Sequence, residues 1–339
     1  MFSFAFLASL IACNNAIVSN WSTSGLSSGG FFTIQMDVAY SSECIGVGVV
    51  AGGPYYCAQD SETTALTACM SVPTEIRVKT LETDTDNYAK EGLVDATSNI
   101  ANQRVYLFSG KKDTTVNTGS VQAAETYYKD YGANVYFDDS QDCAHGMVTN
   151  FYGNKCGSFA GEPYIINCDY DLAGKILQWI YQNTLKPAIS ANSVPYNNVM
   201  SIDQSSFIPS GSTPSGISLE KIAYVYKPSN CSIAPLSDSC LLHVVFHGCE
   251  QTLDSNLNLQ TKFNDTYVRD TGYNQWAEPN NMVILYPQAA IKQISNPNGC
   301  WDWWGYNTKN YANKQGKQMQ TVYNMIQYIL KGTKDFESF

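Results

Sequence analysis

A serine framed by glycines lies near the start of the chain, in the run Gly25-Leu26-Ser27-Ser28-Gly29. The spacing G-x-S-x-G is typical of a nucleophile elbow, in which the serine sits on a strained turn between a strand and a helix. Such a turn needs glycine on both sides, because a Cβ atom there would collide with neighbouring backbone. The same run could also be a flexible loop. Ser27 is therefore a candidate nucleophile whose partners must be sought elsewhere in the chain.

Three histidines could act as the general base that a serine nucleophile needs within hydrogen-bond reach. His243 lies inside an apolar segment and is interpreted as a hydrogen-bonded core histidine. His247 precedes Gly248 at the end of that segment, where a His-Gly turn commonly shapes an oxyanion hole. His145 lies in a loop after a predicted strand, which is where catalytic bases are usually carried. The sequence therefore favours His145 as the base.

Asp113 is the candidate for the carboxylate that orients the imidazole. It follows the predicted strand 105–108 through a turn, which places it at the same sheet edge as the elbow. The chain order Ser27, Asp113, His145 is the serine, acid, histidine order of α/β-hydrolases. An aspartate at this position could instead cap the turn or the following helix. Three aspartates lie nearer to His145 in sequence and are interpreted as solvated loop residues: Asp138, Asp139 and Asp142.

Two backbone N–H groups must point at the oxyanion that develops during acyl transfer. One is expected from Ser28, directly after the nucleophile, and the other from the His247-Gly248-Cys249 turn, as the N–H of Cys249. An α/β-hydrolase normally has its His-Gly strand before the elbow. Here it lies far downstream, which a circular permutation would explain. Three scattered histidines have no metal-ligand spacing, so no metal or cofactor is expected.

Apolar patterns alternate between strand and helix along the chain, which indicates an α/β fold. We predict one mostly parallel central sheet with helices on both faces, because the elbow and several strands lie in different halves. The polar segment 190–216 could be a domain linker or a long surface excursion. The first strand, at about 17–24, is expected to lead directly into the elbow. Asp169 is a possible N-cap of the helix that follows it. The predicted strands are 45–51, 105–108, 135–137, 222–226, 242–246 and 282–286, and the predicted helices are 31–39, 121–128, 169–182, 273–276 and 319–329.

Composition indicates a secreted protein. The net charge is −10 and no basic cluster occurs, which argues against nucleic acid as a partner. The apolar run 2–12 is too short to span a bilayer and is interpreted as part of a signal peptide, residues 1–16, before a single catalytic domain, 17–339. An alternative is a lipoprotein site that lipidates Cys13. We expect an extracellular monomer without membrane insertion.

Eleven cysteines in a secreted chain predict disulfides, and cleavage after Ala16 would leave an even number. Close spacing suggests three local pairs: Cys57 with Cys69, Cys156 with Cys168, and Cys231 with Cys240. The partners of the remaining four stay open on spacing alone: Cys44, Cys143, Cys249 and Cys300.

Six ordered motifs run from residue 24 almost to the end of the chain, and they carry a family resemblance. Together they resemble the circularly permuted, single-domain poly(3-hydroxybutyrate) depolymerases of fungal type. The motifs are SGLSSGG at 24–30, AGGPY at 51–55, SGKKDTTV at 109–116, HGC at 247–249, LYPQ at 285–288 and NPNGCWDW at 296–303.

The resemblance implies a triad of Ser27, Asp113 and His145, and an oxyanion hole made by the Ser28 and Cys249 amides. It also implies that Trp303 lines the substrate crevice and that Cys249 pairs with Cys300. Cys44 and Cys143 have no counterpart in the family pattern, and we expect them to form an extra bridge. Trp301, Trp303 and Trp304 could form an apolar surface for an insoluble polymer, or they could belong to the core.

The sequence thus predicts a secreted serine esterase that hydrolyses poly(3-hydroxybutyrate) or a related polyester through an acyl-enzyme on Ser27. Two alternatives remain. One is an esterase that removes acetyl or feruloyl groups from xylan, because aromatic platforms also stack on sugars. The other is a catalytically silent polymer-binding protein that keeps the fold and the tryptophans.

Overall fold

The computed structural model describes residues 20–258 and 261–333. The expected signal peptide and the first residues of the predicted strand 17–24 lie outside these ranges. Within the described residues, no helix is long and apolar enough to cross a membrane.

The described chain alternates strands and helices, with several short 3₁₀ turns between them. The strands are β1 (Trp21–Leu26), β2 (Cys44–Val50), β3 (Arg104–Phe108), β4 (Asn134–Asp138), β5 (Met147–Thr149), β6 (Asn154–Lys155), β7 (Ile165–Asn167), β8 (Val199–Asp203), β9 (Ile222–Tyr226), β10 (Leu241–Phe246), β11 (Asn256–Asn258), β12 (Thr261–Lys262) and β13 (Met282–Tyr286). The α-helices are α1 (Ser28–Ala39), α2 (Glu62–Thr64), α3 (Val78–Lys90), α4 (Thr118–Asp130), α5 (Leu172–Ile180), α6 (Thr266–Asp270), α7 (Tyr273–Ala277) and α8 (Lys317–Lys331).

Eight strands form the central sheet in the order β4-β3-β2-β1-β10-β13-β9-β8. The first six of these run parallel, and β9 and β8 close one edge in antiparallel pairing. The mostly parallel sheet is confirmed. Although β1 comes first in the chain, it lies between β2 and the late strand β10, which is the arrangement expected of a permuted α/β-hydrolase. The segment 190–216 contributes the edge strand β8 and is not a simple linker.

Strand β1 is polar, yet it is fully buried and pairs on both sides. His243 of the neighbouring strand accounts for this. Its Nδ1 lies 2.7 Å from the Ser22 hydroxyl, and its Nε2 lies 2.8 Å from the Ser24 hydroxyl. Burial lowers the pKa of His243 to about 3, so the neutral ring bonds both serines. The interpretation of His243 as a core histidine is confirmed.

Helices cover both faces of the sheet, because alternate strand residues point to opposite sides. Val47 and Val49 of β2 pack into one core with α1, α4 and α8, whereas Val50 packs into the other with α5, α6 and α7. Helix α8 buries Met319, Val322, Ile326 and Ile329 at the spacing that predicted it. Helix α5 begins later than expected. Its cap is Asp171, which accepts the Gly174 N–H at 2.8 Å, and not Asp169.

Four disulfides join the pairs that spacing and family resemblance predict: Cys57–Cys69, Cys156–Cys168, Cys231–Cys240 and Cys249–Cys300. The expected bridge between Cys44 and Cys143 does not form, and both are buried free thiols. Cys44 begins β2, at the amino edge of the parallel strands, whereas Cys143 follows β4 beside Gly110 at the carboxyl edge. A strand of this length spans roughly 20 Å. A disulfide requires Cα atoms less than about 7 Å apart.

Candidate active site

Ser27 occupies the sharp turn between β1 and α1. Its φ of 58° and ψ of −121° are a conformation that residues with a side chain rarely adopt. Its N–H donates to the carbonyl of Val50 at 2.8 Å, which fixes the turn to β2. A Cβ atom on Gly25 would lie 2.3 Å from the Gly29 carbonyl oxygen, and one on Gly29 would lie 2.4 Å from that of His247. The turn therefore has the geometry of a nucleophile elbow, and both glycines are sterically required.

Asp113 and His145 form a buried pair at the carboxyl edge of the sheet. His145 Nδ1 lies 2.8 Å from Asp113 Oδ2. The second oxygen, Oδ1, accepts the N–H groups of Thr115 and Val116, each at 2.9 Å. Asp113 is thus both a turn cap and the partner of the imidazole, so the two readings of this residue hold together. Its carboxylate is fixed by the chain before it meets the histidine.

Asp138 is one of the three aspartates nearer to His145 in sequence. The prediction that it is a solvated loop residue is wrong, because its side chain is buried. Its Oδ2 accepts the hydroxyls of Tyr106 at 2.6 Å and Tyr170 at 2.7 Å. Burial raises the pKa of this carboxyl, but the hydrogen bonds from Tyr106, Tyr170 and Ser140 together outweigh burial and lower the pKa overall. The Asp138 carboxylate thus binds the two tyrosines and not the His145 imidazole, which bonds Asp113. Asp139 is exposed, and Asp142 forms an exposed ion pair with Lys112.

The turn after β10 lies against the elbow. A Cβ atom on Gly248 would be 3.4 Å from both the Leu26 carbonyl oxygen and Ser27 Cβ. Ser28 begins α1, where an N–H has no intrahelical acceptor and the helix dipole favours negative charge. Neither the Ser28 N–H nor the Cys249 N–H donates to an acceptor in the described part of the chain. Two unused donors thus flank the serine.

A cavity of about 700 Å³ brings these groups together. Ser27 and His145 line it, as do Gly248 and Cys249. The elbow, the His145 imidazole and the turn after β10 come from three separate parts of the chain. The parallel strands β1 and β10 place the elbow and that turn at the same sheet edge. Among the described residues, no cluster of three His, Cys, Asp or Glu side chains could hold a metal ion.

Comparison with known proteins identifies the family. No protein family model matches the chain. A poly(3-hydroxybutyrate) depolymerase of Delftia acidovorans is 43% identical over 313 residues, which is 91% of this chain and 59% of that protein. A polyhydroxybutyrate depolymerase of Talaromyces funiculosus is 34% identical over 347 residues, covering 96% of this chain and 94% of that protein. The chain belongs to the polyhydroxybutyrate depolymerase family. It spans less than two thirds of the length of the Delftia relative.

Solved structures of the depolymerase family share the fold. A PHB depolymerase from Penicillium funiculosum matches with a TM-score of 0.80 and 30% identity, covering 94% of this chain and 98% of that one. A serine-to-alanine variant of a PHB depolymerase, complexed with an R3HB trimer, matches with the same TM-score and coverage at 31% identity.

The three tryptophans of the segment 301–304 occupy different places in this depolymerase family member. Trp303 and Trp304 line the cavity, and Trp303 stacks on Phe31 with ring centroids 4.0 Å apart. Trp301 is fully buried and packs on Phe32 and Phe246, with centroids 4.8 and 5.1 Å away. The expectation that Trp301 contacts the substrate is therefore not met, because it supports the sheet from the core side.

Several cavity residues were not predicted from the sequence. Tyr164 and Glu250 line the cavity, and the Tyr164 hydroxyl donates to Glu250 Oε2 at 2.6 Å. Tyr164 lies in the loop closed by Cys156 and Cys168, so the pairing of those cysteines could have directed attention to it. Leu66, which lines the cavity from the loop closed by Cys57 and Cys69, could have been found in the same way.

Proposed function

We propose that this chain is a secreted serine esterase that hydrolyses poly(3-hydroxybutyrate) or a related polyester. The observation that carries the proposal is the cavity lined by Ser27, His145 and Cys249. Asp113 bonds the imidazole of His145, and the unused N–H of Ser28 directly follows the serine in the chain. Membership of the depolymerase family supports the polyester as substrate, as does the R3HB trimer bound by a structurally similar family member. We infer one catalytic domain over residues 17–339, acting as a monomer.

The reaction proceeds in two steps. Ser27 Oγ attacks the ester carbonyl while His145 Nε2, the nitrogen that Asp113 does not engage, takes the hydroxyl proton. The Asp113 carboxylate stabilises the imidazolium, and the Ser28 and Cys249 N–H groups stabilise the oxyanion. The tetrahedral intermediate collapses to an acyl-enzyme, and the leaving alcohol receives the proton from His145. Water, activated by His145, then releases a 3-hydroxy acid and restores Ser27.

The cavity wall suits an uncharged polyester chain. Trp303 and Trp304 meet edge to face with centroids 5.6 Å apart and offer an apolar surface for methyl and methylene groups. Leu66 and Ile294 also line the cavity, and both are exposed to solvent. The carboxyl groups of Asp60, Glu62 and Glu250 also line the cavity, so it offers little attraction to an anionic substrate.

The rival substrate is acylated xylan, since aromatic rings also stack on sugars. Purified enzyme would be given amorphous poly(3-hydroxybutyrate), acetylated xylan and feruloylated xylan at equal ester concentration, and the released acids quantified by chromatography. Release of 3-hydroxybutyrate in large excess over acetate and ferulate supports the proposal. Preferential release of acetate or ferulate would replace it with a carbohydrate esterase. Labelling of Ser27 by an organophosphate excludes a silent binding protein.

Four disulfides support secretion into an oxidising compartment. Thiol titration of the secreted, denatured protein without reductant tests whether residues 1–16 are removed. Cys44 and Cys143 are the free thiols of the described chain, so two thiols per molecule are expected if residues 1–16 are removed. A third thiol would mean that Cys13 is retained unmodified, which contradicts signal cleavage at Ala16.

A further inference from the structure

The imidazole of His247 lies directly behind the proposed oxyanion turn and is buried. Its Nδ1 is 2.7 Å from the carbonyl oxygen of Gly248, and its Nε2 is 3.1 Å from the backbone nitrogen of Ala289. A carbonyl can only accept and a backbone N–H can only donate. Nδ1 must therefore carry the proton and Nε2 must accept. Burial lowers the pKa of His247 to about 4, which agrees with a neutral ring.

The neighbouring backbone donors of the turn are already engaged. The Gly248 N–H donates to Gln251 Oε1 at 2.7 Å, and the Glu250 N–H donates to the Asn298 carbonyl at 2.7 Å. Gln251 is itself buried, and its Nε2 donates to the Pro163 carbonyl at 2.9 Å. Between these two fixed groups, the Cys249 N–H remains without an acceptor in the part of the chain that the structure describes.

The direction of that N–H depends on the Gly248–Cys249 peptide plane. In a trans peptide the carbonyl and the N–H point in opposite directions. Holding the Gly248 oxygen toward His247 therefore directs the Cys249 N–H to the other side. If the plane turned over, the Gly248 carbonyl would take the place of the N–H and would repel a developing oxyanion.

We propose that His247 is a positioning residue of the oxyanion hole, and that its Nδ1–H holds the Gly248–Cys249 peptide in the donor orientation. The inference rests on the proposed function, in which the Cys249 N–H stabilises the oxyanion. His247 neither touches the substrate nor transfers a proton. It acts only through the peptide that it holds.

Two matched substitutions separate the bonds of this imidazole. The amide of His247→Asn reaches the position of Nδ1 and can still donate to the Gly248 oxygen. The amide of His247→Gln reaches the position of Nε2, so it can still accept from Ala289 but loses the bond to Gly248. Loss of one oxyanion donor lowers kcat by roughly 10²–10³-fold. We expect a loss of that order in His247→Gln with little change in KM, and a loss below about tenfold in His247→Asn.

Kinetics on a soluble 3-hydroxybutyrate oligomer give kcat and KM for both variants. The amplitude of organophosphate labelling of Ser27 counts the folded active sites, and the labelling rate reports on the oxyanion hole. The labelling rate should fall with kcat in His247→Gln. Equal kcat values in the two variants, or a change in KM alone, would overturn the positioning role.

A measurement on the unmodified enzyme covers the case in which a variant fails to fold. Long-range ¹H–¹⁵N correlation spectra resolve the tautomers of the three histidines. His247 should be the Nδ1–H tautomer at pH 7, and an Nε2–H tautomer would overturn the inference.

Ser27→Ala separates the proposed function from the proposed role of His247. If it still cleaves the oligomer, the proposed function fails, whereas if it is inactive and His247→Gln is unimpaired, only the role of His247 fails.

Discussion

Asp113 binds two groups at once, and this explains why one residue satisfied two different sequence interpretations. One carboxylate oxygen caps the turn through Thr115 and Val116, and the other bonds His145. The cap holds the carboxylate in place independently of the imidazole. The backbone of the turn therefore fixes the position of the acceptor that His145 bonds.

Replacing this carboxylate should disable the histidine without unfolding the turn. In Asp113→Asn, Oδ1 can still cap the turn, but the amide donor facing Nδ1 favours the wrong tautomer of His145. We expect kcat/KM at pH 7 to fall by roughly 10³–10⁴-fold. The matched control is Asp138→Asn, which is nearer to His145 in sequence but bonds two tyrosines. Steady-state kinetics of both variants decide the point, and a larger loss in Asp138→Asn would contradict it.

Asp37 gives a prediction about pH. It is fully buried in α1, and its Oδ2 accepts the Tyr128 hydroxyl at 2.7 Å. Burial raises its pKa from 3.8 to about 7. Between these two values the folded chain holds a proton that the unfolded chain has lost, so this residue makes the free energy of unfolding decrease as pH rises.

Asp37→Asn removes this contribution. Relative to the variant, the unmodified enzyme should lose stability by at most about 1.4 kcal/mol per pH unit between pH 4 and pH 7. The quantity to compare is the difference in free energy of unfolding between the two proteins. His243 and His247, whose pKa values are lowered, make the free energy of unfolding increase with pH in both proteins, so their effect cancels in the difference. Urea unfolding at pH 4.5 and 6.5 measures it. A difference that is the same at both pH values would show that Asp37 is ionised in the fold.

At the scale of elements, the elbow depends on how closely α1 approaches the end of β10. A Cβ atom on Gly29 would meet the backbone of both Phe246 and His247, at 2.5 and 2.4 Å. Backbone cannot rotate away as a side chain can. Gly29 thus sets the distance between the helix that carries one of the proposed oxyanion donors and the turn that carries the other.

Gly29→Ala should therefore separate the two donors. We expect a loss of stability of about 1–3 kcal/mol from overpacking. We also expect kcat to fall by at least tenfold, because the oxyanion turn must move. Gly161→Ala is the control, since a Cβ atom there meets nothing within 4 Å. Thermal unfolding and kinetics of the two variants test the claim, and normal kcat in a folded Gly29→Ala would contradict it.

Elements with strong periodicity could be predicted from the sequence, and those set by tertiary contacts could not. The helical spacing of apolar residues correctly predicted α8, and apolar runs correctly predicted the strands β2, β3, β10 and β13. Strand β8 was not predicted because only Val199 and Ile202 of this edge strand are partly covered, which is not the alternation typical of a half-buried strand. Helix α3 was not predicted because only two of its residues, Leu81 and Thr85, are buried.

The site shows the same limit. Chain order and turn residues led to Ser27, Asp113 and His145, which the structure brings to one sheet edge. Packing decides which way a side chain faces, so the sequence could not show that, of two buried tryptophans, Trp303 lines the cavity whereas Trp301 packs on Phe32 and Phe246. Nor could it show that Cys44 and Cys143 lie at opposite edges of the sheet.

At the scale of the whole molecule, the Cys249–Cys300 disulfide joins the proposed oxyanion turn to the loop that carries Trp303 and Trp304. The two cysteines are 51 residues apart, and the loop-entropy model gives such a bridge about 4 kcal/mol of stability. Both cysteines line the cavity. The proposed oxyanion donor and the apolar wall are thereby joined covalently.

Removing this bridge with Cys249→Ala and Cys300→Ala should lower both stability and kcat. The control is the double alanine variant of Cys231 and Cys240, whose separation of 9 residues corresponds to about 3 kcal/mol. That variant should unfold more easily while its kcat stays normal, because neither residue lines the cavity. Denaturant unfolding and kinetics at 25 °C distinguish them. Equal effects on kcat would show that the bridge at the oxyanion turn has no special role.

The central claim is that one serine performs the chemistry, and Ser27→Ala tests it most directly. Release of 3-hydroxybutyrate from amorphous poly(3-hydroxybutyrate) would be followed at constant pH for the unmodified enzyme and for the variant, with folding verified by thermal unfolding. Since the acyl-enzyme cannot form without the hydroxyl, we expect release to fall by at least about 10³-fold while the fold is retained. Release within tenfold of the unmodified enzyme would contradict the account.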